Sequence, residues 1–227
     1  MHLLLPIILI VALVFGPGWW VRKVMSRYSE PKDRYDGSGA QLARHLLDSN
    51  ELQHVKVEET EKGDHYDPLE KIIRLSPDNF NGRSLTAVTV AAHEVGHAIQ
   101  DSIGFAPLKI RTQLVMLTQP MQKLGAGILM AAPFIGMITR APSISLVMIL
   151  GGFMSLGTAS LVHMVTLPAE LDASFKRALP LLEKDKILKP VDLPHARRLL
   201  KAAALTYLSA SLASLLNIAR WWALLRR

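Results

Sequence analysis

Residues 85–100 read "LTAVTVAAHEVGHAIQ". The run is apolar and alanine-rich, with no breaker before Gly96, and it predicts a buried helix. Two histidines, His93 and His97, stand four apart within it, and on an α-helix residues i and i+4 share a face. Two imidazole nitrogens can therefore point at one ion. Glu94 is turned about 100° from His93, at the edge of that face, where it can reach a water on a metal. A catalytic zinc site uses three protein ligands and keeps the fourth position for water. A bare HExxH match arises by chance roughly once in a hundred chains of this composition. The neighbours Val90, Ala91, Ala92, Val95, Gly96, Ala98 and Ile99 are all uncharged, which counts against chance. Gly96 costs a helix about 1 kcal/mol relative to alanine, and it leaves room for another element to come close.

Working outward, the 227 residues are half hydrophobic and contain no cysteine. Structural disulfides are thereby excluded, and any zinc must be held by His, Asp or Glu. The apolar residues gather in long runs, which predicts membrane spans. Leu3 to Val21 is uncharged and as a helix measures about 28 Å. Trp19 and Trp20 close it, and Arg22, Lys23 and Arg27 follow. The charges come after the apolar run, so it reads as a retained anchor over residues 1–21 and not as a cleaved signal peptide.

A soluble region follows over residues 22–112. Within it "GSGAQLARHLLDSN" (37–50) reads as a short amphipathic helix. "VKVEET" and "KIIRLS" alternate like strands, and "EKGDHYDPLE" between them reads as the turn of a β-hairpin. Residues 113–166 read as a transmembrane helical hairpin, with "TRAP" (139–142) as its turn. Residues 167–201 are amphipathic and basic, and 202–227 hold a fourth apolar stretch, whose crossing is open, and a basic end with Trp221 and Trp222. The excess of positive charge, +7 in all, sits mainly in residues 166–227. Basic residues beside apolar runs suit anionic lipid headgroups, and no nucleic-acid module accompanies them.

The motifs "GSGAQLARHLLDSN", "DHYDPLEKIIRLS", "AAHEVGHAIQ" and "LPAELDASFKRAL" together resemble the YugP-like membrane-bound neutral zinc metallopeptidases. The resemblance covers nearly the whole chain, and more distantly the sequence is similar to the HtpX and CaaX-prenyl protease zincins. HEVGH alone is shared by many zincins, whereas its combination with DHYDP and ELDAS is much more specific. The resemblance implies a zincin-like region over 22–112, one zinc ion, and Glu170 as the third ligand. The sequence agrees independently: between Asp101 and Glu170 there is no acidic residue, and Glu170 opens an expected helix after Pro168. His163 competes as a ligand, or is an interior histidine. The HtpX-like pattern has an acid four residues after the ligand, where this chain has Ser174. Asp172 or Ser174 can thus support a ligating histidine, and Asp172 reads equally as a charge at a helix N-terminus. His65 and Tyr66 are candidate oxyanion donors or substrate contacts, although plain turn chemistry explains "GDHYDP" as well.

The expectation is a mainly α integral membrane protein: a helical bundle of three to four spans with a small α+β zincin-like region carrying a β-hairpin and the HExxH helix. Its expected function is zinc-dependent endopeptidase with Glu94 as general base. Protein or peptide substrates, membrane proteins among them, and the lipid bilayer are the expected partners, and nucleic acid is not. The expected location is the bacterial cytoplasmic membrane, N-terminus outside and active site inside. Two rivals are a zinc-stabilised membrane scaffold without turnover and an intramembrane protease. The polar residues 28–92 before the His pair count against the second.

Overall fold

The computed structural model describes residues 4–140, 142–184 and 187–206. Its helices are α1 Leu4–Arg27, α2 Gly39–Ser49, the single turn α3 Pro77–Phe80, α4 Leu85–Ser102, α5 Ala106–Thr139, α6 Pro142–Leu171, α7 Leu179–Lys184 and α8 Leu193–Ala204. A π-helical segment, Asp172–Ala178, joins α6 to α7, and a 3-10 turn, Pro190–Asp192, precedes α8. Three short strands, β1 Lys56–Glu59, β2 His65–Asp67 and β3 Ile72–Leu75, form one sheet. The chain divides into two compact units. One holds residues 16–109 and 167–206, and the other holds the described residues up to 15 and 110–166.

The first unit carries the core. Ser84 caps α4 by accepting a hydrogen bond from the Ala87 N–H, which satisfies one of the orphan donors of a helix start. Nearly every residue of α4 is buried, with Ala87, Ala91, Ala92 and Ala98 small enough to let neighbouring helices approach. On one side lies α2, begun by a capping box between Ser38 and Gln41. Leu46 and Leu47 of α2 are fully buried, each contributing about 1.5–3 kcal/mol. On the other sides lie the π-helical segment and α8, whose Ala196, Leu199 and Leu200 face the core while Arg197, Arg198 and Lys201 face water. Gly39 abuts the Asn79 carbonyl so closely that a β-carbon there would stand 2.2 Å from it.

Three sequence expectations are corrected. The bundle of three to four membrane spans is not present: among the described residues no helix is long and apolar enough to cross a membrane. In α5, Lys109, Arg111 and Lys123 confine the uncharged stretch to residues 124–139, about 24 Å of helix against a hydrocarbon layer of about 30 Å. Much of the fourth apolar stretch, and Trp221 and Trp222, lie outside the described residues. Second, "VKVEET" and "KIIRLS" do not form a hairpin with each other. β1 runs parallel to β3, and the supposed turn supplies β2, which pairs antiparallel with β3 on its other edge. Asp67 makes the real turn by accepting from the Leu69 and Glu70 N–H groups, and Lys71 takes a positive φ of 58°. Asp64 fixes the far end, accepting from the Ser76 N–H and hydroxyl and from Asn79. Third, Pro168 does not start a helix. It lies inside α6, which continues to Leu171.

Candidate metal centre

His93 and His97 project from the middle of α4, and Glu170 from the last turn of α6. All three lie in the unit of residues 16–109 and 167–206. Glu170 is fully buried and the imidazoles nearly so. The Glu170 Oε2 atom is 3.3 Å from His93 Nε2 and 3.3 Å from His97 Nε2. The rings meet edge to face, their centroids 4.8 Å apart at 82°. One ligand atom from each residue lies within 4.8 Å of the others. Zinc bonds of about 2.0–2.1 Å at tetrahedral angles separate neighbouring donors by about 3.3–3.4 Å. The two nitrogens each lie one such edge from the carboxylate oxygen, so the donor set suits zinc in its chemistry and in these two spacings.

Both Nδ1 atoms are turned away from the cluster and engaged. His93 Nδ1 is 3.0 Å from Ser174 Oγ, and the Ser174 hydroxyl donates its proton to the Leu200 carbonyl. With that proton committed, Ser174 accepts from His93 Nδ1–H, and Nε2 is left with its lone pair toward Glu170. His97 Nδ1 is 3.0 Å from Gln100 Oε1. Gln100 Nε2 donates to the Ala169 carbonyl and to Asp172 Oδ2, each at 2.8 Å. Asp172 also accepts from Arg177 Nε at 3.2 Å. Burial pushes the Glu170 carboxyl up, whereas His97 and His93, in their protonated form, would outweigh that and hold it well below the usual carboxylate range.

Gly96 explains how Glu170 gets so near. A β-carbon at this position would lie 2.6 Å from the Ala173 carbonyl oxygen, so α4 and the π-helical segment meet backbone to backbone between the two histidines. The close approach then carries Glu170, three residues before Ala173, onto the His pair.

The remaining candidates sort as follows. Glu94 is buried in α4, next to His93. Ser174 contacts His93 directly, and Asp172 reaches His97 through Gln100, so both support a histidine. Tyr66 donates to Asp101 Oδ2 at 2.6 Å, and the Lys71 ammonium binds the same oxygen. Burial and then the Asp101 charge push the Tyr66 phenol up from its ordinary value. His65 Nδ1 is 2.8 Å from the Gly63 carbonyl, inside its own turn. His163 belongs to the other unit, and its side chain lies outside the described residues. Gln100 was missed from the sequence, although three residues after His97 it shares that face of the helix.

Three buried protein donors and an adjacent carboxylate are the equipment of a zinc-dependent hydrolase. The chain belongs to the family described as "Putative neutral zinc metallopeptidase", whose sequence profile matches residues 3–226. It is similar to the "Putative membrane protease YugP" of Bacillus subtilis (strain 168), with 32% identity over 216 residues that cover 93% of this chain and 91% of that protein. No solved structure matches the chain.

Proposed function

We propose that this protein is a zinc endopeptidase of the HExxH…E kind, with His93, His97 and Glu170 holding one zinc ion and Glu94 as general base. The observation that carries the reading is the buried meeting of two Nε2 atoms with one Glu170 oxygen at 3.3 Å. Zinc in this place supplies a Lewis acid for the scissile carbonyl and for the attacking water. The Glu94 carboxylate takes a proton from that water and delivers it to the leaving amine nitrogen. Ser174 and Gln100 keep the two imidazoles in the orientation that presents Nε2. Among the described residues the cluster has three ligating side chains, which suits turnover better than a closed scaffold site with four. The substrates we propose are proteins or peptides. The name of the Bacillus relative, a membrane protease, supports action at a membrane.

The test is Glu94→Gln beside wild type, with zinc content measured on the purified proteins and digestion of casein followed. Zinc should remain at one per chain, and cleavage should fall by about 10²–10⁴-fold, the range that general base catalysis contributes. Undiminished cleavage by Glu94→Gln removes the proposed mechanism, and wild-type protein free of zinc removes the site.

A further inference from the structure

We propose that Gln100 is a positioning residue for the metal centre: backed by Asp172 and Arg177, it fixes the His97 tautomer that turns a bare Nε2 toward the ion. The inference rests on the reading of His93, His97 and Glu170 as zinc ligands. It begins from the amide of Gln100, which is fully buried and bonded at both ends. A carboxamide has a donor end and an acceptor end, and its neighbours decide which way it lies. The Ala169 carbonyl accepts only, and so does the Asp172 carboxylate. Both take a hydrogen bond from Gln100 Nε2 at 2.8 Å. The amide nitrogen must face them, and Oε1 is left for His97.

An acceptor 3.0 Å from Nδ1 requires Nδ1 to carry the proton. In a neutral imidazole that leaves the lone pair on Nε2, the atom 3.3 Å from Glu170. The opposite tautomer would set two acceptors against each other in a buried place.

The π-helical segment builds the outer half of this relay. Asp172 and Arg177 are five residues apart, and Arg177 Nε donates to the same Asp172 oxygen that Gln100 uses. On an α-helix five residues turn through about 500°, so the two side chains would point about 140° apart. The i to i+5 repeat of a π-helix brings them into line. His97, Gln100, Asp172 and Arg177 thus form a chain from the buried ligand to a half-buried guanidinium.

The test measures zinc affinity of the full chain by competition with a chromogenic chelator, with far-ultraviolet circular dichroism as the check on folding. Gln100→Leu should bind zinc about 10–100-fold more weakly than wild type. Gln100→Glu keeps an acceptor for His97 but sets two carboxylates together, and it should also bind weakly. Long-range proton–nitrogen spectra of the metal-free, 15N-histidine-labelled full chain read the tautomer directly: His97 should carry its proton on Nδ1 in wild type and shift toward the Nε2–H form in Gln100→Leu, which a merely structural role does not predict. Wild-type affinity in Gln100→Leu, or an unchanged His97 tautomer in it, overturns the proposal. Should Gln100→Leu fail to fold, Arg177→Gln at the outer end decides: weaker zinc binding supports the relay and unchanged binding overturns it. His97→Ala is the control. Wild-type protein that binds no zinc defeats the ligand reading itself, whereas normal wild-type binding with unaffected variants defeats the relay alone.

Discussion

Gly96→Ala sets two effects against each other, and the structure supplies the magnitudes. In an unobstructed helix the change is favourable by about 1 kcal/mol, because alanine loses less backbone entropy. Here the new methyl would stand 2.6 Å from the Ala173 carbonyl oxygen, 3.2 Å from its carbon and 3.3 Å from its Cα. All three are backbone atoms, so no side chain can swing aside. Ordinary contact at 3.4 Å requires the two elements to part by 3.4 − 2.6 = 0.8 Å. Overpacking of this kind costs about 1–3 kcal/mol, and a backbone-on-backbone collision belongs in the upper half of that range. After subtracting the helix gain, the net loss is about 1–2 kcal/mol. For a chain of this size that lowers Tm by about 2–8 °C. Because Glu170 moves with Ala173, the 3.3 Å spacings to His93 and His97 should open as well, and zinc should bind more weakly. Thermal unfolding with and without zinc, together with the chelator competition, measures both. Gly127→Ala in α5 is the control, since nothing lies within 4 Å of a β-carbon there and the helix gain should appear alone. A Gly96→Ala protein as stable as wild type, with unchanged zinc affinity, refutes the close-approach argument.

Two further predictions concern groups at other points of the same unit. Asp192 is fully buried and accepts from Arg34 Nε at 2.7 Å, from a second Arg34 nitrogen and from the Tyr35 hydroxyl at 2.6 Å. Burial alone would raise its carboxyl, but the hydrogen bonds from Arg34 and Tyr35, followed by the Arg34 and His195 charges, hold it below its ordinary value. A carboxyl lowered in the folded state contributes stability that is complete above its unfolded value of about 3.9 and is lost as pH falls through the folded value. Asp192→Asn should cost about 1–3 kcal/mol at neutral pH, discounted because Arg34 is partly exposed, and its deficit should shrink as pH drops from 5 toward 2. A deficit independent of pH in urea melts contradicts this account. Tyr66→Phe removes one hydrogen bond to Asp101 and should lower stability by about 1 kcal/mol with kcat/KM retained. A 10²-fold or greater fall in kcat would instead return Tyr66 to the role of oxyanion donor.

The His-pair helix was legible because its signals are local: an apolar run and a spacing of four. The close approach at Gly96 was legible as well, since a glycine inside a helix signals a neighbour's backbone. The sheet was only half readable. Alternation identified the strands of residues 56–59 and 72–75 but carries no information on direction, and "HYD" was concealed in a segment whose Asp, Gly and Pro content reads as turn. Its aspartates do make turns, at the ends of β2 and not through it. Around Glu170 the sequence misled, because proline favours a helix start and costs about 3 kcal/mol in an interior, yet Pro168 stands inside α6. The π-helical segment leaves no local signature at all. Its evidence is the pairing of Asp172 with Arg177, which is visible only in three dimensions.

The spacing at the centre also separates two ways of keeping Glu170 charged in the core. Two protonated imidazoles donating to it would make charge-assisted hydrogen bonds, and these settle at about 2.7–2.9 Å. The contacts observed are both 3.3 Å, equal to one another and longer than that. One oxygen held equally far from two nitrogens is compatible with an ion shared among the three, since 3.3 Å matches an edge of a tetrahedral zinc site. The charges agree. Glu94 and Glu170 are both buried on this side of α4 and α6, and a dication cancels their formal charge of −2, while Asp172 and Arg177 cancel each other farther out. The groups that touch the imidazoles from behind, Ser174 and Gln100, are neutral. Neither adds charge, so the affinity of the proposed site for a divalent ion would rest on His93, His97, Glu170 and Glu94.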